Sequence, residues 1–288
     1  MLTVRAPAKI NLTLEVLGRY QDGYHQICGV IQAISLGDEL CFQSAEGIEF
    51  SSNSAEWVAE RSLVHRAAGL IQSVTECSKG ALVEVNKRIP LVSGLGGDSS
   101  DAAAVLRGLN WLWELNLSRD ELLGLARQIG SDVAFFLHGG TALLEGKGEL
   151  VTPLPPLPHM WVILVVPPVT RIPDKTKQLY QSLNTGNYTD GRATRRMVDA
   201  IRTGGAVTPA MLFNTFENVA FTRFEGLDSI WERVAGEGAS NIRLAGSGPA
   251  IFSLFEDRDQ AEKLHDRLRQ QGLESYLTET TDAVNEIA

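Results

Sequence analysis

The chain has 288 residues, 44% of them hydrophobic and 21% charged, with 35 acidic side chains against 26 basic ones for a net charge of −9. A chain of this length buries about three quarters of its unfolded surface and has room for two lobes, and its composition excludes intrinsic disorder. The acidic balance, with no basic cluster longer than residues 192–197, argues against nucleic acid or an anionic membrane as a partner.

The three scattered cysteines, Cys28, Cys41 and Cys77, argue against a disulfide framework or a zinc knuckle and suit a reducing cytoplasm. The first residues lack the basic-then-apolar pattern of a leader, and the most apolar run, residues 160–166, is too short to cross a bilayer. The expectation is a soluble, cytoplasmic protein.

Along residues 4–16, Ala6, Ala8, Ile10, Leu12, Leu14 and Val16 alternate with Arg5, Lys9, Asn11, Thr13 and Glu15. That period of two predicts a half-buried strand and places Lys9 and Asn11 on one face. Asp22 and Gly23 signal a turn, residues 27–35 read as the next strand, and a β-rich N-terminal lobe begins here. Residues 62–74 carry Leu63, Ala67, Leu70 and Ile71 at helical spacing, and residues 81–89 alternate again.

There follows "PLVSGLGGDSSDAA", residues 90–103, and then a helical stripe of Ala102, Val105, Leu106, Leu109, Leu112 and Trp113, with Ser99 and Ser100 available to cap its start. Four prolines within residues 153–158 interrupt secondary structure and mark a boundary, dividing the chain into 1–155 and 156–288. Beyond it, residues 160–168 read as a buried strand and residues 243–255 as a glycine turn leading into another. Residues 259–272 read as a helix stopped by Gly272. There is no internal repeat and no low-complexity tract.

The loop formed by Pro90, Leu91, Val92, Ser93, Gly94, Leu95, Gly96, Gly97, Asp98, Ser99 and Ser100 is spelled neither as a Walker A loop nor as a dinucleotide fingerprint. Its physics is still that of a phosphate cradle. Glycines let the backbone approach closely, and the helix start supplies unpaired N–H groups and roughly half a positive charge. Three glycines followed by two serines favour phosphate binding over a plain strand-to-helix turn.

Other residues are ambiguous by themselves. Lys9 alone would be an ordinary strand lysine, and Asp132 could as well be a capping acid near a helix start. Tyr24 and His25 after a turn usually pack, and Gly246, Ser247 and Gly248 could form a simple strand turn. His65, His138, His159 and His265 have no metal-ligand spacing, and no metal-binding residue is expected.

Three stretches in order, "APAKINLTLEV", "PLVSGLGGDSSDAA" and "LAGSGPAIFSLF", resemble the three signatures of the GHMP kinases, the galactose, homoserine, mevalonate and phosphomevalonate kinases, and the resemblance spans the whole chain. "DGYH" at residues 22–25 and "GSDVAFFLHGGTALLEGKGE" at residues 130–149 are similar to the branch of that family whose acceptor is a cytidine diphosphate polyol.

The resemblance implies an α+β, two-lobed GHMP kinase fold. Its N-terminal lobe is of split β-α-β type, its C-terminal lobe is ferredoxin-like, and the active site lies in the cleft between them. It further implies that the γ-phosphate of ATP passes to the 2-hydroxyl of the polyol. Lys9 and Asp132 would be catalytic, residues 90–100 would wrap the ATP phosphates, and Asn11 would contact the substrate.

Tyr24 and His25 would hold the cytosine, with Tyr180, beside Thr176, closing on it from the far lobe, and Gly246, Ser247 and Gly248 would form a second cradle beside the substrate. Mg²⁺ would be held mainly through the nucleotide phosphates, and the chain would act as a monomer or weak homodimer. Two departures stand out. Asp98 replaces a loop glycine and is expected to point outward, and Ser62 stands where an asparagine usually lines the adenine site. The alternatives are a mevalonate- or homoserine-type acceptor and a non-catalytic nucleotide binder.

Overall fold

The computed structural model describes residues 2–282. The N-terminal half contributes β1 (Leu2–Arg19), β2 (His25–Ala45), β3 (Ile48–Ser52), α1 (Leu63–Thr75), β4 (Gly80–Asn86), α2 (Gly97–Leu112), α3 (Arg119–Ile129), α4 (Ser131–His138), β5 (Thr141–Glu145) and β6 (Leu150–Pro153). The rest contributes β7 (Trp161–Val166), α5 (Lys175–Ser182), α6 (Arg192–Arg202), β8 (Phe213–Asn214), α7 (Glu217–Arg223), α8 (Leu227–Gly236), β9 (Arg243–Leu244), β10 (Ile251–Phe255), α9 (Arg258–Gln270) and β11 (Glu274–Glu279).

Two sheets organise these elements. The larger runs β3-β4-β2-β1-β8, with β5 branching from β2 and β6 pairing with β5; the smaller runs β11-β7-β10-β9. Strand β2 is long enough to serve two partners, bonding β4 along residues 39–45 and β5 along residues 29–32. Helices α1 to α4 cover the larger sheet through Val64, Ala67, Leu106, Leu122 and Phe135, which close on Val4, Phe42 and Val83. Gly108 lets α2 approach this closely, because a Cβ there would collide with the Phe42 ring.

The period-2 reading of β1 is correct for its register but not for its exposure. Residues 6–16 are buried on both faces. Of the polar row Arg5 is exposed and Lys9 and Asn11 face the cleft; Thr13 and Glu15 lie against the start of α6, where the Glu15 carboxylate accepts the Thr194 amide at 2.7 Å and Thr194 Oγ1 donates to Thr13 Oγ1 at 3.0 Å. The apolar row threads three cores, because a register shift between Pro7 and Ala8 passes it from the helix-covered face to a cluster between the lobes. There Ala8, Ile10 and Leu12 pack with Val162, Leu164, Met197 and Ile201.

Residues 153–158 join the sheets without forming a free linker. Leu154 is buried in the inter-lobe cluster and its amide bonds the Thr141 carbonyl at 2.9 Å. Backbone pairing also crosses between the halves. Strand β8 lies parallel to β1 with Phe213 opposite Thr13, and Ile34 of β2 bridges Thr280.

Candidate active site

A cleft of about 1700 Å³ is lined by β1, the glycine loop, the start of α4, the loop after β9 and the exposed face of α5. The glycine loop is pinned to β1, since the Lys9 amide donates to the Leu95 carbonyl at 2.9 Å, and to the loop after β9, since the Ala250 amide donates to the Ser93 carbonyl at 3.1 Å. Space at its glycines is spoken for. A Cβ at Gly96 would lie 2.9 Å from the Phe136 ring and 3.0 Å from Lys9 Cγ, and one at Gly94 would collide with the Ala245 carbonyl oxygen. Both have positive φ, 92° and 75° at Gly94 and Gly96, a region open to glycine.

Helix α2 starts at Gly97, with Gly96 as its N-cap and no side chain capping it. Ser99 and Ser100 therefore sit inside the first turn instead of preceding it, which corrects their expected capping role. The physical reason is that Gly96 supplies the left-handed entry, so the helix begins at Gly97, three residues earlier than a cap at Ser99 would allow. The first-turn amides are left without intrahelical acceptors, open to the cleft that Gly96, Gly97, Asp98 and Ser99 line.

Opposite lies the pair formed by Lys9 and Asp132. Lys9 is 5% exposed; its ammonium donates to Asn11 Oδ1 at 2.7 Å and stands 3.8 Å from Asp132 Oδ2. Burial lowers the Lys9 pKa, and the Asp132 carboxylate opposes that shift. Asp132 occupies the first turn of α4, whose N-cap is Gly130 with no side-chain bond, so it caps nothing and faces the lysine.

Asp98 borders the cleft, but its carboxylate is engaged at the start of α1. Its two oxygens accept the Leu63 amide at 3.2 and 3.1 Å and one accepts the Ser62 hydroxyl, while Ser62 caps α1 through Val64 N. The two departures from the family pattern thus bond each other, and together they hold the start of α1, where an anion is favoured by the helix dipole.

At the other end, the His25 ring stacks on Tyr180 with centroids 4.8 Å apart and planes 20° apart, and Tyr180 meets Phe216 edge-on. Burial and the charge on Arg19 lower the His25 pKa, favouring the neutral ring. Tyr24 is not opposite Tyr180; it is 64% exposed, with the Lys147 ammonium 4.5 Å from its ring centroid. Thr176 and Ser247 share a hydroxyl hydrogen bond at 3.0 Å. Gly246 and Gly248, at φ 57° and 70°, shape a turn that Asn214 supports by donating to the Leu244 and Gly246 carbonyls at 2.9 and 2.8 Å.

Several residues of the site escape sequence reasoning. Asn214, which supports the turn from behind, has no motif around it, and Trp57, Val58 and Arg61, which line the cleft near Ser62, sit in a stretch with no clear period. Lys147 lies within the quoted 130–149 stretch, but its ion pair with Asp22 at 2.6 Å joins residues far apart in the chain. His65, His138, His159 and His265 line none of this cleft. Among the described residues no group of three or more His, Cys, Asp or Glu side chains could hold a metal, and no helix is long and apolar enough to cross a membrane.

Comparison with known proteins shows the family. Residues 62–140 match the model for the GHMP kinases N terminal domain and residues 197–273 that for the GHMP kinases C terminal. A 4-diphosphocytidyl-2-C-methyl-D-erythritol kinase of Dehalococcoides mccartyi is 46% identical over 280 residues, covering 97% of this chain and 98% of that protein. One of Shouchella clausii is 36% identical, covering 93% and 90%.

A crystal structure of 4-(cytidine 5'-diphospho)-2C-methyl-D-erythritol kinase superimposes with a TM-score of 0.81 at 31% identity, covering 97% of this chain and 99% of that one. Homoserine kinase from Cytophaga hutchinsonii shares the fold at a TM-score of 0.77 and 18% identity, covering 100% and 97%.

Proposed function

The chain belongs to the GHMP kinase family, and from that premise we propose that it transfers the γ-phosphate of ATP to the 2-hydroxyl of 4-diphosphocytidyl-2-C-methyl-D-erythritol, a step toward isoprenoid precursors. The observation that carries the reading is the Lys9–Asp132 pair, 3.8 Å apart, beside a glycine loop whose helix-start amides open on the same cleft. Relatives named for this activity at 46% and 36% identity supply the acceptor.

In this reading residues 90–100 hold the ATP phosphates, and Asp132 orients the accepting hydroxyl and takes its proton. Phosphoryl transfer is mostly positioning and electrostatics, and the transferred group gathers negative charge that Lys9 offsets. Asn11, bonded to the ammonium, fixes where that charge sits. His25 and Tyr180 form the cytosine site and a base enters by parting their rings, while Tyr24 borders it from the exposed side. Thr176, Ser247 and the Gly246–Gly248 turn flank the polyol and its diphosphate. The lobes divide at 1–155 and 156–288, and the protein acts in the cytoplasm as a monomer or weak homodimer, without nucleic acid.

Magnesium enters as part of the nucleotide substrate, held by its phosphates and waters, because Asp98 is committed to the start of α1. Asp98→Gly accordingly leaves the magnesium dependence of turnover unchanged and lowers stability by about 1 kcal/mol through the lost cap. A changed magnesium requirement, read from initial rates across a metal titration, would instead place Asp98 at the metal. Tyr180→Ala raises KM for the cytidylated polyol about tenfold or more, the loss of roughly one to three kcal/mol of base stacking, and leaves KM for ATP unchanged. An equal rise in both would show that Tyr180 only props the cleft.

Mass-spectrometric detection of one phosphate added to the cytidylated polyol, with ATP consumed in step, tests the function directly. Turnover of mevalonate or homoserine in its place overturns it, and the absence of turnover on every acceptor favours a nucleotide binder.

A further inference from the structure

One buried cation in the cleft has no part in the chemistry above. Lys175 opens α5 and is 7% exposed, yet it lines the cleft. Its ammonium donates to the Val92 carbonyl of the glycine loop at 2.9 Å and to the Gly248 carbonyl of the adjoining turn after β9. Both acceptors are neutral. Among the described residues no carboxylate pairs with it, and the charged group that acts on it is another cation, Lys9 of β1.

The contrast with Lys87 is informative. That lysine is also buried, but its ammonium lies between the Asp38 and Asp101 carboxylates, which is how a fold neutralises a structural lysine. Lys175 has been withdrawn from water without such compensation. An isolated ammonium in that position is costly, and burial together with the Lys9 charge lowers its pKa to about 7. It also holds a carbonyl in an unusual place, because Val92 sits at φ 59°, a region that β-branched residues avoid.

We propose that Lys175 is a polyphosphate-binding residue whose missing counter-charge is supplied by the phosphates of the substrates. The inference rests on the kinase reading and adds a second cation to its cleft. An ammonium has three donors; two of them bond the glycine loop and the adjoining turn after β9, and the third is left for a phosphate oxygen. The loops against it present only backbone carbonyls, β1 presents Lys9, and on its own segment Asp174 and Lys177 are not bonded to it among the described residues. An arriving polyanion therefore favours the charged form and draws a proton from solvent.

Calorimetry at pH 7.5 in two buffers of different ionisation heat tests this. One arm uses a magnesium-saturated, non-hydrolysable ATP analogue and the other the cytidylated polyol, and whichever shows the effect identifies the phosphates concerned. The wild-type protein takes up about half a proton or more on binding. Lys175→Met binds at least tenfold more weakly with no uptake. Lys175→Arg, always charged, keeps its affinity within a few-fold, also without uptake. Lys9→Met retains part of the uptake, because burial, the larger cause of the lowered Lys175 pKa, remains when the Lys9 charge is gone, and this separates the two lysines.

Wild-type binding without proton uptake in either arm overturns the proposal, as does unchanged affinity in Lys175→Met. Should that variant not fold, the wild-type and Lys9→Met measurements decide. Turnover of the polyol by the same wild-type preparation keeps the two readings apart. Turnover without uptake sinks the role of Lys175 alone, and uptake without turnover sinks the acceptor assignment alone.

Discussion

Asp132→Ala abolishes turnover, with kcat falling about a thousandfold or more, while ATP binding persists. The carboxylate is the acid that faces Lys9, at 3.8 Å, and positioned proton transfer contributes roughly a hundred- to ten-thousandfold. The variant also leaves the buried Lys9 without the charge that opposes its lowered pKa, so the Lys9 pKa falls further. ATP affinity depends on the glycine loop on the other wall and stays within about threefold of wild type. Single-turnover rates and nucleotide titration on one preparation check both halves. Activity within tenfold of wild type would remove Asp132 from the chemistry.

Gly94→Ala is the second large effect, and it acts through the backbone. The added methyl meets the Ala245 carbonyl at a residue whose φ is 92°, so the loop and the turn after β9 must separate. The conformational strain alone costs about 1 to 2 kcal/mol. The displaced amides raise KM for ATP about tenfold or more, and Tm falls by about 4 °C or more. Gly124→Ala is the control. It lies within α3 with nothing within 4 Å of a new Cβ, and it stabilises by up to about 1 kcal/mol through helix propensity. Unchanged ATP kinetics in Gly94→Ala would show that the loop does not need the interlock.

The sequence made legible whatever depends on local pattern. Residues 62–74 predicted α1 to within a residue, because apolar spacing is read from neighbours along the chain, whereas the capping role of Ser62 emerged only in the structure. The Lys9–Asn11 face was visible for the same reason.

What was hidden depends on contacts between distant segments. The polar face of β1 looked solvated, since nothing in residues 4–16 announces that α6 will cover it. The start of α2 was misplaced, because a glycine in the left-handed region caps a helix without any capping side chain. Lys175 reads as one of two lysines in "DKTKQ", and only folding brings it to Val92 and Gly248. Asp98 and Ser62 appeared as two separate departures, and their hydrogen bond makes them one arrangement.

The β8–β1 ladder and the Ile34–Thr280 bridge bear on how the enzyme shuts around its ligands. A jaw that swung open would have to break backbone hydrogen bonds at its own pivot. Discrimination between acceptors then falls to a groove already shaped before either ligand arrives, adjusted by ring rotations and small loop shifts instead of by a closing hinge.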